Sequence, residues 1–251
     1  MCEAVEVGGD VLLTNSANDS RLLLAAAETG WDRPIPNCPD WDAAGLVRHT
    51  GGILEWMAAV VTSGTRVSRR SLDPAPENPR LASWYLTALD RTLGVLGSAE
   101  SGVETWTFSS SGDRRVSWWW RRLAVEVAIH RFDVEHAVAA DGGPPAGMVD
   151  REVAAAGVEE FVVEFLPGLL AQEGLARLRG TLHLHATDGP SEWWIDLDAG
   201  GAATPQHKDA DVAVRGTRSD LLLWLVNREP SVRLEVLGDR EVLAAWGQLR
   251  R

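Results

Sequence analysis

Apolar positions recur with helical spacing through most of the first half of the chain. The stretch "VLLTNSANDSRLLLAAAET", about Val11 to Thr29, reads as a first helix, ended by Gly30, Pro34, Pro36 and Pro39 in "GWDRPIPNCPDW". A second helix starts near Asp42 and runs through "AAGLVRHTGGILEWMAAVVTSG"; a charged, Pro-rich loop follows, and "RLASWYLTALDRTLGVLGS" gives a third. The fourth covers Val116 to Ala140, with "ETWTFSS" as a short extended piece before it. Four helices joined by loops predict a helical bundle.

The pattern breaks at "DGGPPAG", residues 141–147. Beyond it, one helix is expected at about 150–173, and then the period shortens to two. "RGTLHLHATD" and "SEWWIDLDAG" read as strands around "DGPS", and "ADVAVRG" as a third. "SDLLLWLVNR" reads as a helix capped by Ser219, "VRLEVLGD" as a strand, and a closing helix begins near Arg240. The expectation is an α+β chain of two domains: residues 1–142, a four-helix bundle, and residues 148–251, a small α+β domain on a mostly antiparallel sheet.

Phase along the helices singles out three polar residues. With 100° per residue and Glu126 at zero, His130 falls at about 40°, Leu123 at about 60° and Val134 at about 80°, which puts Glu126 and His130 at the edge of the apolar stripe. Around His49, Trp56, Val60, Ile53 and Leu46 lie on both sides within about 60°, so this histidine is in the middle of an apolar face. A carboxylate turned inward is costly unless paired, protonated or bound to a cation. Two histidines and a glutamate could hold a divalent ion with one position left open for chemistry. On phase alone the simpler reading of the same residues is a hydrogen-bonded core histidine and an i, i+4 polar pair.

Other candidates are weaker. His183 and His185 share one face of "TLHLHA" and could chelate, but a solvated strand face is the expected reading. His136 is about 240° from His130 and belongs to the surface or to an outer layer. The Trp-rich "SWWWRR" and "EWW" could line an apolar pocket, but core packing is the simpler role. No GxGxxG, P-loop or GxSxG motif is present, so a nucleophile would come from a cofactor or from water.

Composition narrows the partners. A net charge of -12 without an isolated basic block argues against nucleic acid. The first residues lack a basic segment followed by an apolar run, and no stretch reaches the length of a membrane span, so a cytoplasmic, membrane-free protein is expected. The only two cysteines, Cys2 and Cys38, exclude a thiolate-rich metal site, leaving His and carboxylate as ligands. Lys208 is the sole lysine, an Arg-rich bias expected of a GC-rich, actinobacterial genome.

Two stretches, "PIPNCPDWDAAGLVRHTGGILEWM" (34–57) and "WWWRRLAVEVAIHRFDVEHA" (118–137), resemble the mycothiol-dependent maleylpyruvate isomerase family. The second half, above all "VAVRGTRSDLLLWLVNREPSVRLEVLGD" (212–239), is similar to the family's C-terminal domain. The resemblance implies a DinB-like bundle followed by a sterol-carrier-like domain. It also implies a divalent metal, zinc first, on His49, Glu126 and His130. Mycothiol would be the thiol cosubstrate, with a small electrophilic substrate. Many relatives carry a histidine just before the metal-binding glutamate; Val125 stands there in this chain, which leaves room for a different substrate.

The implied activity is attack of a metal-activated thiolate on an electrophile, as a cis-trans isomerase or an S-transferase. Arg131, Arg215, Arg218 and Arg228 are the candidate contacts for a substrate carboxylate, which a guanidinium fork pairs well. Two alternatives stand beside this reading: a non-catalytic ligand-binding protein, and a metal-dependent hydrolase that activates water.

Overall fold

Apolar stripes at helical spacing close into a core in the computed structural model of the chain, which describes residues 7–171, 178–228, 233–238 and 246. Two compact units result, Val7–Val149 and the part from Asp150 onward.

The first unit holds four long helices: α1 (Gly9–Glu28), α2 (Ala43–Ser63), α3 (Asn78–Ser98) and α4 (Val116–Ala140). α1 packs chiefly on α4, and α2 on α3. α2 also meets α4, which brings two predicted inward faces together. Leu23, Leu46, Leu54, Met57, Leu89, Trp118, Trp119 and Leu123 are fully or nearly fully buried between the helices. At about 1.5–3 kcal/mol for each large apolar side chain removed from water, this core is the main source of the unit's stability.

The start of α2 is fixed in detail. Asp42 caps it by accepting from Gly45 N at 2.6 Å, and the preceding loop accepts the next two free N–H groups, Ala43 N to Arg33 O and Ala44 N to Trp31 O, both at 2.9 Å. His49 then lies about two turns into the helix. Gly51 allows close approach of α3, because a Cβ there would fall 2.3 Å from the Trp84 ring.

In the second unit, α5 (Arg151–Glu160) passes through a π-helical turn, Phe161–Phe165, into α6 (Leu166–Leu170). The single helix expected over 150–173 is thus interrupted. Pro167 explains it: the ring removes an N–H and clashes one turn back, and the wider π turn absorbs the mismatch.

Five strands follow among the described residues: β1 (Thr181–Ala186), β2 (Glu192–Asp196), β3 (Ala202–Thr204), β4 (Val212–Gly216) and β5 (Glu235–Gly238), in the order β3-β2-β1-β4-β5. Only β1 and β4 pair in parallel; the other three pairings are antiparallel, as expected. The short β3 carries no alternation long enough to read from sequence. Leu182, Leu184, Trp193, Ile195, Val212 and Val214 fill the buried face, and α7 (Arg218–Leu225) packs on β1 and β4.

Ser219 is not the cap of α7. Thr217 holds that place, accepting from Asp220 N at 3.1 Å while its hydroxyl donates to Asp220 Oδ2 at 2.7 Å. The expected closing helix falls almost wholly outside the described residues. No helix among those described is long and apolar enough to cross a membrane.

Candidate metal centre in the helical bundle

His49 from α2 and Glu126 and His130 from α4 converge. His49 Nε2 stands 3.1 Å from Glu126 Oε1, and His130 Nε2 stands 3.4 Å from the same oxygen. The two imidazole rings meet edge to face, with centroids 5.1 Å apart. Ligand atoms on a tetrahedral zinc with bonds of about 2.0–2.1 Å are separated by roughly 3.3 Å, close to both of these distances, and the three donor atoms all lie within 4.8 Å of one another. The helical phases predicted the inward turn of each side chain, but not their common oxygen.

Glu126 is buried, yet each of its oxygens has a partner. Oε1 faces the two histidines, and Oε2 is paired with the Arg122 guanidinium one turn earlier on α4. Burial, ahead of the neighbouring His130, Arg69 and Arg122, pushes His49 down to about 3, so its imidazole is neutral at ordinary pH. Neutral imidazole is the form that binds a metal. His49 is also the open side of the cluster, with its side chain 25% exposed against 10% for His130.

A second layer lies behind His130. Asp133, fully buried, has Oδ2 3.0 Å from His130 Nδ1. With Nδ1–H donated to that carboxylate, Nε2 is turned towards Glu126. Asn37 Nδ2 donates to Asp133 Oδ1 at 3.0 Å, and the Cys38 thiol is 3.8 Å from Oδ2. Cys38, His130 and Asp133 also place donor atoms close together, but His130 offers them its Nδ1 and keeps Nε2 for Glu126. Carboxylate-supported histidine of this kind is the usual arrangement around bound zinc. Asp133 escaped the sequence reading although the signal existed: a carboxylate three residues after a ligand histidine is its helical neighbour.

Trp41, from the loop before α2, covers the cluster, with ring centroids 4.5 Å from His49 and 6.1 Å from His130. The predicted Trp-rich stretch is core: Trp118 and Trp119 pack edge to face at 4.9 Å and are almost wholly buried. Val125 is buried as well. His136 stacks on Phe132.

The candidate arginines are engaged elsewhere. Arg131 is buried in ion pairs with Asp19 at 3.0 Å and Glu135 at 2.8 Å. In the second unit, Arg215 pairs with Glu235, Arg218 is buried against Asp188 and Glu152, and Arg228 donates to the Val226 carbonyl. The cations beside His49 are instead Arg122 and Arg69, the latter exposed, with its guanidinium 5.5 Å above the Trp56 ring.

Comparison with known proteins places this geometry in context. The family model described as the mycothiol maleylpyruvate isomerase N-terminal domain matches residues 13–135, and the model of the MDMPI C-terminal domain matches residues 152–245. A crystal structure of the mycothiol-dependent maleylpyruvate isomerase is 14% identical, with a TM-score of 0.62 over 92% of this chain and 93% of that one. A histidine-to-alanine mutant of that enzyme gives the same identity and coverage with a TM-score of 0.61. At that identity the likeness shows a shared fold. A sterol carrier protein 2-like protein from Aedes aegypti covers 36% of the chain at a TM-score of 0.28, too low to argue a shared fold. No curated protein matches the sequence significantly.

Proposed function

The chain belongs to the mycothiol maleylpyruvate isomerase family, and from that premise we propose that it is a metal-dependent enzyme using a mycothiol-type thiol to attack a small electrophile. The observation that carries this reading is the approach of His49 Nε2 and His130 Nε2 to one oxygen of Glu126, with Asp133 behind His130. Those three residues would hold a divalent ion, zinc first. Bound there, the ion would supply Lewis acidity that lowers the pKa of a thiol and makes its thiolate the nucleophile at neutral pH.

The protein's own part is positioning. Asp133 fixes the ring of His130, Arg122 neutralises the outer oxygen of Glu126, and Trp41 shields the cluster from water on one side. Arg69, exposed beside the open His49, offers a positive charge to an anionic substrate. In an isomerisation the thiolate adds to the cis double bond, the negative charge moves onto the conjugated carbonyl, the new single bond rotates, and elimination returns the thiolate and the trans product. In an S-transfer the carbon–sulfur bond persists, and the electron pair either takes up a proton at carbon or departs with the electrophile's leaving group. Val125 stands where many relatives carry a histidine, which leaves room for a different substrate.

The test is to incubate the metal-loaded protein with mycothiol and a panel of electrophiles, maleylpyruvate included, following adducts and isomers by mass spectrometry. Thiol-dependent conversion that disappears in His49→Ala and His130→Ala is the expected result. Conversion that persists without any low-molecular-weight thiol would replace this reading with that of a hydrolase.

A further inference from the structure

The second unit gathers half of the chain's six histidines around one carboxylate. His183 and His185 project from the same face of β1, and Glu192 on β2 lies directly opposite His185 in the ladder. His183 Nε2 is 3.3 Å from Glu192 Oε2, and His185 Nδ1 is 2.9 Å from Oε1. His207, from the segment after β3, completes the group with Nδ1 2.9 Å from Oε2. One donor atom from each of the four residues lies within 4.8 Å of all the others.

A solvated strand face, the simpler expectation for His183 and His185, does not describe this. His183 is 5% exposed. The segment bearing His207 is also held down: Lys208 Nζ sits 3.7 Å above the Trp194 ring, and Trp194 Nε1 donates to the Asp209 carbonyl at 3.2 Å. Trp194 is two residues beyond Glu192 and shares its face. Arg215, beside His185 on β4, has its charge balanced by Glu235 at 2.9 Å. Burial raises the Glu192 carboxyl, but His207, His185 and His183 together bring it below its ordinary value.

We propose that His183, His185, Glu192 and His207 form a metal site for a divalent ion of the zinc, copper and nickel class. Three imidazoles and one carboxylate suit those ions and disfavour calcium and magnesium, which take oxygen ligands. Four protein ligands leave no position for a substrate, so the site is structural. The ion clamps β1, β2 and the segment after β3.

The test uses the full chain, stripped of metal by a chelator and titrated with Zn2+ against a chromophoric competitor. In a His130→Ala background, which removes the bundle centre, one equivalent is expected to bind, and adding His185→Ala and His207→Ala weakens it by about 100-fold or more. Imidazole 15N resonances of His183, His185 and His207 shift on metal addition. Equal uptake by both variants, or none by either, overturns the proposal. If the bundle centre binds nothing, wild type and His130→Ala each take one equivalent, so failure of one site is separable from failure of the other. Far-UV circular dichroism checks folding, and His207→Ala alone, altering a side chain 77% exposed, carries the test should the multiple variant unfold.

Discussion

Asp133 and His130 are joined at 3.0 Å inside the bundle, the carboxylate wholly shielded from solvent. Such a partner fixes the ring and raises the basicity of the other nitrogen. Asp133→Asn is therefore expected to weaken metal binding at the bundle centre by about 10–100-fold while leaving the helices intact. Competitive Zn2+ titration with parallel circular dichroism measures both. Unchanged affinity would mean that Asp133 serves packing alone.

Arg131 is a stability residue in this geometry. Breaking a buried ion pair leaves an uncompensated charge, so Arg131→Met should cost about 3–5 kcal/mol in denaturant unfolding, with Asp19 left behind. The KM for the proposed thiol-dependent reaction should not change in the folded variant. A raised KM would restore Arg131 as a substrate contact.

Neighbouring glycines on α2 should respond with opposite signs. Alanine gains up to about 1 kcal/mol over glycine inside a helix, and at Gly52, where a Cβ meets nothing within 4 Å, that gain is kept. At Gly51 the new Cβ presses on the Trp84 ring, and overpacking of about 1–3 kcal/mol outweighs it. Thermal unfolding should show Gly52→Ala melting above wild type and Gly51→Ala below.

Acid should weaken the sheet unit through Asp211. Its carboxylate accepts from Thr181 Oγ1 and Thr181 N, both at 2.8 Å, and these bonds hold it below its ordinary 3.8. The unfolded state then binds the proton first. The contribution is complete above the unfolded value and is lost as pH falls from there through the folded one. Asp211→Asn is expected to flatten this part of the pH dependence of unfolding, read by denaturant titration from roughly pH 5 downwards. An unaltered slope would assign the acid response to other carboxylates.

Helix α4 was legible within about its observed bounds because 25 consecutive positions carry neither Gly nor Pro to end the helix. The inward turn of His49, Glu126 and His130 was legible for the same reason. What failed depended on pieces without periodicity. Asn37 reaches Asp133 from a loop whose path no spacing rule gives, and His207 reaches Glu192 in the same way. Glu192 itself needed the register of β1 against β2, which alternation in each strand does not set. Charge type says nothing about prior partners: Arg131 and Arg218 look available in the sequence and are buried in ion pairs.

The loop between α1 and α2 does three jobs within a dozen residues. Trp31 and Arg33 receive the first amides of α2, Asn37 steadies Asp133, and Trp41 lies on His49. Its length is therefore as constrained as any ligand. Removing or adding one residue there would unseat helix start, histidine support and hydrophobic cover together, so insertions that surface loops usually absorb should concentrate instead in the Pro-rich connection after α2.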